Sequence, residues 1–247
     1  MTATLFATLI AIIIGTVLVL RNRKRTYPTA PEPSKVTLPD IDKSIPDMPD
    51  NFGYKCMWYS IKTENIHRIA EILKLKSLEP CNWAVGVRKA YQGDIFITPT
   101  VGNWTMVAGR GLSIVDTQED ITHVKNILSQ LSYEFGEAQY FCTHRIAEYH
   151  LWMRAIKGKI TRAYSYLGES GGNVIVEGTP TEIEAGLNLI NTFSEEANDK
   201  NYFSREDILI PDEQTVMDVA GNWSIDPSNL HERTDVKPGL GYLAKAD

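Results

Sequence analysis

The sequence predicts an α+β fold: a mainly antiparallel sheet with a central long hairpin and three to four helices, preceded by one N-terminal transmembrane helix. Three observations carry that reading. Residues 137–168, EAQYFCTHRIAEYHLWMRAIKGKITRAYSYLG, alternate apolar side chains (Tyr149, Leu151, Met153, Ala155) with charges and rings (Glu148, His150, Trp152, Arg154), the period of a strand. Asp94–Thr98 and Trp104–Ala108 read as two further strands joined through Val101-Gly102-Asn103. Between the strand patterns lie helical ones. The clearest is Thr117–Phe135, with Ile121, Val124, Leu128 and Leu131 at helical spacing and Gly136 as its stop. Hairpin-linked middle strands favour an antiparallel sheet over a doubly wound parallel one.

In chain order, Ala3–Leu20 is a stretch of 18 uncharged residues, about 27 Å as a helix, close to the hydrocarbon thickness of a bilayer. Four of the next five residues are basic, and no Lys or Arg precedes the run. This predicts a single-pass signal anchor, residues 1–25 with their basic flank, whose body lies on the cytoplasmic side of a bacterial inner membrane. Residues 26–50 hold six of the twelve prolines and read as a linker extending from the membrane. The globular domain is expected over 51–230 and a flexible tail over 231–247.

Within the domain, Tyr54–Lys62 reads as a strand and Glu64–Leu75 as an amphipathic helix with Thr63 as its cap. Asn82–Tyr91 is ambiguous, with a short helix as one reading. After the hairpin come a glycine loop at Gly168–Gly172, a short strand at Asn173–Val176, and a helix at Thr181–Leu189. A polar connection over Asn191–Arg205 and a last helix at Asp212–Ala220 complete the series. The motif apolar-Gly-Asn-Trp-Ser/Thr occurs at Val101–Thr105 and Ala220–Ser224, and reads as one local turn used twice.

The charge balance bears on partners. Setting aside Arg21, Arg23, Lys24 and Arg25 lowers the basic count from 25 to 21, against 31 acidic residues. So acidic a body does not suit nucleic acid and fits a basic protein partner, such as a basic toxin. Cys56, Cys81 and Cys142 lack the spacing of a disulfide framework or zinc site and read as reduced, buried thiols.

The chemistry centres on the hairpin. With Lys157-Gly158-Lys159 as a three-residue turn, Ile156 pairs Ile160, Arg154 faces Arg162, Trp152 faces Tyr164 and His150 faces Tyr166. These six residues (His150, Trp152, Arg154, Arg162, Tyr164, Tyr166) form the expected partner-binding surface. The facing arginines would repel unless a partner or a nearby carboxylate meets them. Catalytic candidates are Glu148, His150, Cys142 and His144. Glu148 and His150 would share one face and could move protons. On an extended strand His144 lies about 13 Å from Glu148, too far for a shared metal, so no metal and no cofactor is read. Gly168-Glu169-Ser170-Gly171-Gly172 resembles the nucleophile loop of trypsin-like serine proteases over five residues, but the histidine motif of that family is absent. The expectation is a membrane-anchored protein-binding module of the immunity or antitoxin kind, which neutralises a toxin by direct binding. The alternatives are an enzyme using Glu148 and His150, and an envelope-associated scaffold or signalling protein.

Overall fold

The computed structural model describes residues 41–246. The expected anchor, with its span at residues 3–20, and most of the expected linker lie outside the described residues. From Ile41 onward the chain forms one compact unit. Among the described residues no helix is long and apolar enough to cross a membrane.

The unit is built on one mostly antiparallel sheet of nine strands with a few helices. The strands are β1 (Met57–Ile61), β2 (Lys76–Asn82), β3 (Ile95–Ile97), β4 (Thr105–Ala108), β5 (Glu137–His144), β6 (Tyr149–Ile156), β7 (Lys159–Leu167), β8 (Gly172–Gly178) and β9 (Leu240–Lys245). Their order across the sheet is β2-β9-β3-β4-β1-β5-β6-β7-β8. The helices are α1 (Ile66–Ile72), α2 (Trp83–Tyr91), α3 (Gln118–Phe135), α4 (Glu182–Ala185) and α5 (Glu213–Trp223).

Both faces of the sheet are covered, because nearly every middle strand carries apolar or aromatic side chains at both parities. One face, with Tyr59, Tyr140, Leu151 and Met153, packs against Ile69 of α1 and Val124, Leu128 and Leu131 of α3. The other, with Trp58, Phe141, Trp152 and Tyr164, packs against Val87 of α2 and Val216, Met217 and Trp223 of α5. The α3 boundaries follow the local chemistry read from the sequence. The Thr117 hydroxyl accepts the Asp120 N–H at 3.1 Å, and Gly136 at φ 89° ends the helix.

The central hairpin keeps its expected register through two compensating departures. The turn has two residues, Lys157 and Gly158, both at positive φ (47° and 81°), so Ile156 pairs Lys159 instead of Ile160. A bulge at Thr161 then absorbs one residue, which restores Arg154 opposite Arg162, Trp152 opposite Tyr164 and His150 opposite Tyr166.

Other boundaries move. The cap of α1 is Asn65, whose side chain accepts the Arg68 N–H, rather than Thr63. The helix expected to Leu189 ends at Ala185. Residues 42–47, expected in the linker, are fastened to the body: Asn82 donates to the Lys43, Asp42 and Ile45 carbonyls, and Asp47 accepts the Trp83 and Ala84 N–H groups at the start of α2. The tail expected over 231–247 supplies β9, inserted between β2 and β3. The two Asn-Trp motifs adopt different structures. Val101–Trp104 closes a tight turn, whereas Gly221-Asn222-Trp223 is the last turn of α5.

Candidate functional site

The expected ring-and-charge face of the hairpin is largely interior. Helix α5 and the segment after β8 lie over it, so Trp152, Tyr164 and Tyr166 are core residues. Trp152 and Tyr164 stack with centroids 4.6 Å apart. The facing arginines are met by carboxylates of the same chain. Arg154 Nε donates to Glu137 Oε1 at 2.7 Å, and its guanidinium lies 5.6 Å from the Trp223 ring.

Arg162 Nε donates to Glu184 Oε1 at 2.7 Å, with side chains 3% and 0% exposed. Glu184 is fully engaged: Trp152 Nε1 also reaches Oε1, at 2.9 Å, while the Thr181 N–H and hydroxyl reach Oε2 at 2.9 and 2.7 Å. Thr181 and Glu184 thus form a capping box that doubles as the counter-charge for the hairpin. The sequence signal for that box, Thr-x-x-Glu, was present but reads locally as a helix start.

The covered face opens at both ends of the hairpin. At the His150 end is a cleft of about 450 Å³, between the β5–β6 turn and the start of α5. Glu148 and His150 both line it, joined by Arg145, Ile210, Asp212 and Glu213, none of which the sequence reading had singled out. Glu148 is held at φ 48° in the turn and lies directly over Gly168, where a Cβ would sit 2.3 Å from Glu148 Oε2. The glycine loop that resembles a protease motif therefore serves close packing against the β5–β6 turn.

His150 is only 3% exposed. The Thr143 hydroxyl lies 3.0 Å from His150 Nδ1 and 3.5 Å from Glu213 Oε1, so it links the ring to that carboxylate, and the tautomer of the ring sets which of Nδ1 and the hydroxyl donates. Burial lowers the imidazole pKa to about 4, opposed by the charge of Asp212. For Asp212, burial works against ionisation. The Thr215 N–H and hydroxyl, each 2.8 Å from Oδ1, outweigh it and hold the carboxyl below its usual range.

This neutral imidazole sets a pH dependence of stability. Between about pH 6.5 and pH 4 the unfolded chain binds a proton at His150 that the folded chain refuses, so the stabilisation is complete above 6.5 and declines as pH falls toward 4. The decline amounts to at most about 3 kcal/mol. Denaturant titrations at pH 7 and 4.5 should show His150→Asn losing less stability on acidification than the wild type. Equal losses would rule out His150 as the source. Asp212, with its lowered pKa, contributes its loss at still lower pH.

The remaining catalytic candidates are not brought to this cleft. Residues 145–148 form a turn, so the strand parity assumed for His144 is broken. His144 pairs Tyr149 while His150 pairs Thr143, which puts the two histidines on opposite faces of the sheet. Cys142 pairs Leu151 on the His144 side, and burial pushes its thiol far above the ordinary range, away from nucleophilic thiolate. All three cysteines are free and buried. Among the described residues no cluster of three or more His, Cys, Asp or Glu could hold a metal ion.

Fold and site together define a nine-stranded antiparallel sheet clasped by helices on both faces, with an acidic cleft at one end of its central hairpin. Comparison with family models, with curated proteins and with solved structures finds no match.

Proposed function

We propose that the body is a protein-binding module of the immunity or antitoxin kind, which neutralises a basic toxin by direct binding. The observation that supports this is the composition of the cleft: three carboxylates (Glu148, Asp212, Glu213) against one guanidinium (Arg145), with Ile210 of its lining 48% exposed and Ile146, next to Arg145 in the β5–β6 turn, 79% exposed. Apolar side chains left in water around an acidic recess suit a partner that brings a basic residue and an apolar collar. The binding surface is thereby moved from the buried ring-and-charge face to the rim of the cleft beside it. The sequence-read anchor of residues 3–20 would tether this surface at the cytoplasmic side of a bacterial inner membrane.

The test is affinity capture of the full-length chain from its own membranes, alongside Glu148→Lys and Ile146→Asp variants. A stoichiometric basic partner is expected with the wild type, and at least tenfold less of it with either variant, as a loss of about 1.4 kcal/mol would give. Capture that is unchanged in both variants would overturn the proposed surface.

One observation favours a second reading: Glu148 and His150 share the cleft wall, and the unprotonated ring nitrogen of a neutral imidazole is a competent proton acceptor. Under that reading the chain is an enzyme with an acid–base pair. His150→Asn would then abolish turnover while leaving partner capture unchanged.

A further inference from the structure

Between α4 and α5 the chain folds back on itself as a small lobe, residues 186–210, of which the proposed binding surface uses only Ile210. Two short 3-10 turns, Glu195–Asn198 and Tyr202–Ser204, build it. They are held around Tyr202, which is 4% exposed and whose hydroxyl accepts the Asn191 N–H at 2.8 Å. The base is closed by the Leu209 N–H donating to the Asn188 carbonyl at 2.7 Å and the Ile190 N–H donating to the Leu209 carbonyl at 3.0 Å.

The lobe buries Tyr202 yet leaves its apolar neighbours in water. Phe193 is 62%, Phe203 56% and Leu209 36% exposed, and Ile210 carries the patch into the lining of the cleft. The Phe203 ring meets that of Tyr202 edge-on, with centroids 5.5 Å apart, and the Phe193 N–H donates to Asn191 Oδ1 at 3.1 Å, so both rings stand on fixed backbone. Large apolar side chains grouped in this way on a surface mark an interaction site.

The charge around the rings selects the occupant. Residues 191–207 carry five carboxylates, Glu195, Glu196, Asp199, Glu206 and Asp207, against Lys200 and Arg205. Arg205 is matched by Glu196 at 2.9 Å and by Asp207 at 2.6 Å. Three carboxylates then remain against the single charge of Lys200. Such a surface repels the anionic headgroups of a cytoplasmic leaflet, and a second copy of the chain would bring the same sign of charge to it. A basic protein segment is attracted to it.

We propose that the lobe is a docking surface for a partner segment that carries both apolar and basic side chains, the apolar ones lying on Phe193, Phe203 and Leu209 and the basic ones reaching Glu195, Asp199 and Glu206. This rests on the protein-binding reading and extends its interface beyond the cleft, to which Leu209 and Ile210 connect it.

The experiment uses the full-length chain in phosphatidylcholine nanodiscs and, as probe, a fluorescent amphipathic peptide of lysine and leucine, read by anisotropy. Saturable binding is expected. The same peptide with serine in place of leucine should bind about tenfold more weakly, as should a chain carrying Phe193→Ser with Phe203→Ser, whose thermal unfolding is checked alongside. Glu195→Lys with Glu206→Lys, on exposed side chains, gives a second reading through charge alone, with the same expected loss. Glu148→Lys, which alters only the cleft, should weaken binding less than either double variant. Absence of saturable binding, equal binding of the two peptides, or undiminished binding by both double variants would overturn the lobe as a docking surface, while partner capture on the cleft variants decides the protein-binding reading separately. Loss confined to Glu148→Lys would place the peptide in the cleft and overturn the lobe alone. Hydrogen exchange over residues 191–207 that slows when phosphatidylglycerol is added to the nanodiscs, or a dimer that the Phe193→Ser, Phe203→Ser chain fails to form, would overturn the proposal in favour of the bilayer or of a second copy.

Discussion

Replacing Glu184 by alanine is expected to destabilise the body by about 3–5 kcal/mol, the usual cost of removing one partner from a buried ion pair. The loss is large because the change strands several groups at once. Arg162 would be left as an uncompensated charge, with Trp152 Nε1, the Thr181 N–H and the Thr181 hydroxyl deprived of the same acceptor. Against a typical total of about 5–15 kcal/mol, such a change threatens folding itself. Denaturant midpoints measure it directly. The double variant Arg162→Met with Glu184→Leu should recover most of the loss, because it removes the charges together and leaves apolar volume. A single-variant loss below about 1 kcal/mol would show that the pair is hydrated and contributes little.

Ending the chain after Gly239 is expected to abolish cooperative unfolding. By sequence pattern residues 240–247 are a dispensable tail, yet β9 hydrogen-bonds to β2 through Cys81–Gly241 and Asn82–Leu240 and to β3 through Phe96–Leu243 and Ile97–Tyr242. Without it β2 has no neighbour and the sheet edge falls at the three-residue β3. The β3 backbone would then expose polar groups that the sheet now pairs, beneath the α2 packing around Phe96 and Trp83. Circular dichroism during thermal unfolding checks this. A truncated chain that melts cooperatively within a few degrees of the intact one would refute the structural role of β9.

Both predictions turn on what a local pattern can and cannot express. Helix α3 was legible from end to end because its cap, its apolar spacing and its terminal glycine are all neighbours in sequence. The hairpin was legible in its two strands and in the pairs Arg154–Arg162, Trp152–Tyr164 and His150–Tyr166, whereas its turn was not: the loop has two residues, Ile156 pairs Lys159, and a bulge at Thr161 restores the register. Strand β2 was not, because Pro80 argues against a strand; the proline is tolerated only because β2 lies at the sheet edge. Strand β9 was hidden because Leu240–Lys245 has no strong alternation and gains its partners from residues about 150 positions earlier.

The candidate site divides in the same way. Glu148 and His150 were recognised as a pair from their spacing and do share a cleft. Asp212 and Glu213 were missed because they approach from a helix more than sixty residues away, and Arg145 because it sits in a turn that was read as strand. The expectation that Trp152, Tyr164 and Arg162 form an open surface failed for a physical reason. Rings and charges on alternate strand positions look the same whether they face a partner protein or a helix of their own chain. Here that helix is α5, and Glu184 neutralises the arginine from within.

By itself, then, the sequence determined the two strands of the antiparallel hairpin, its outer facing pairs, the ends of α3 and the acidic balance of the body, all of which depend on short-range periodicity or on composition. Only the tertiary structure decided which hairpin face was covered, where β9 enters the sheet, and which carboxylates meet His150 and Arg162. Those outcomes depend on contacts between distant segments, whose free energy comes from burial and charge pairing that no local pattern encodes.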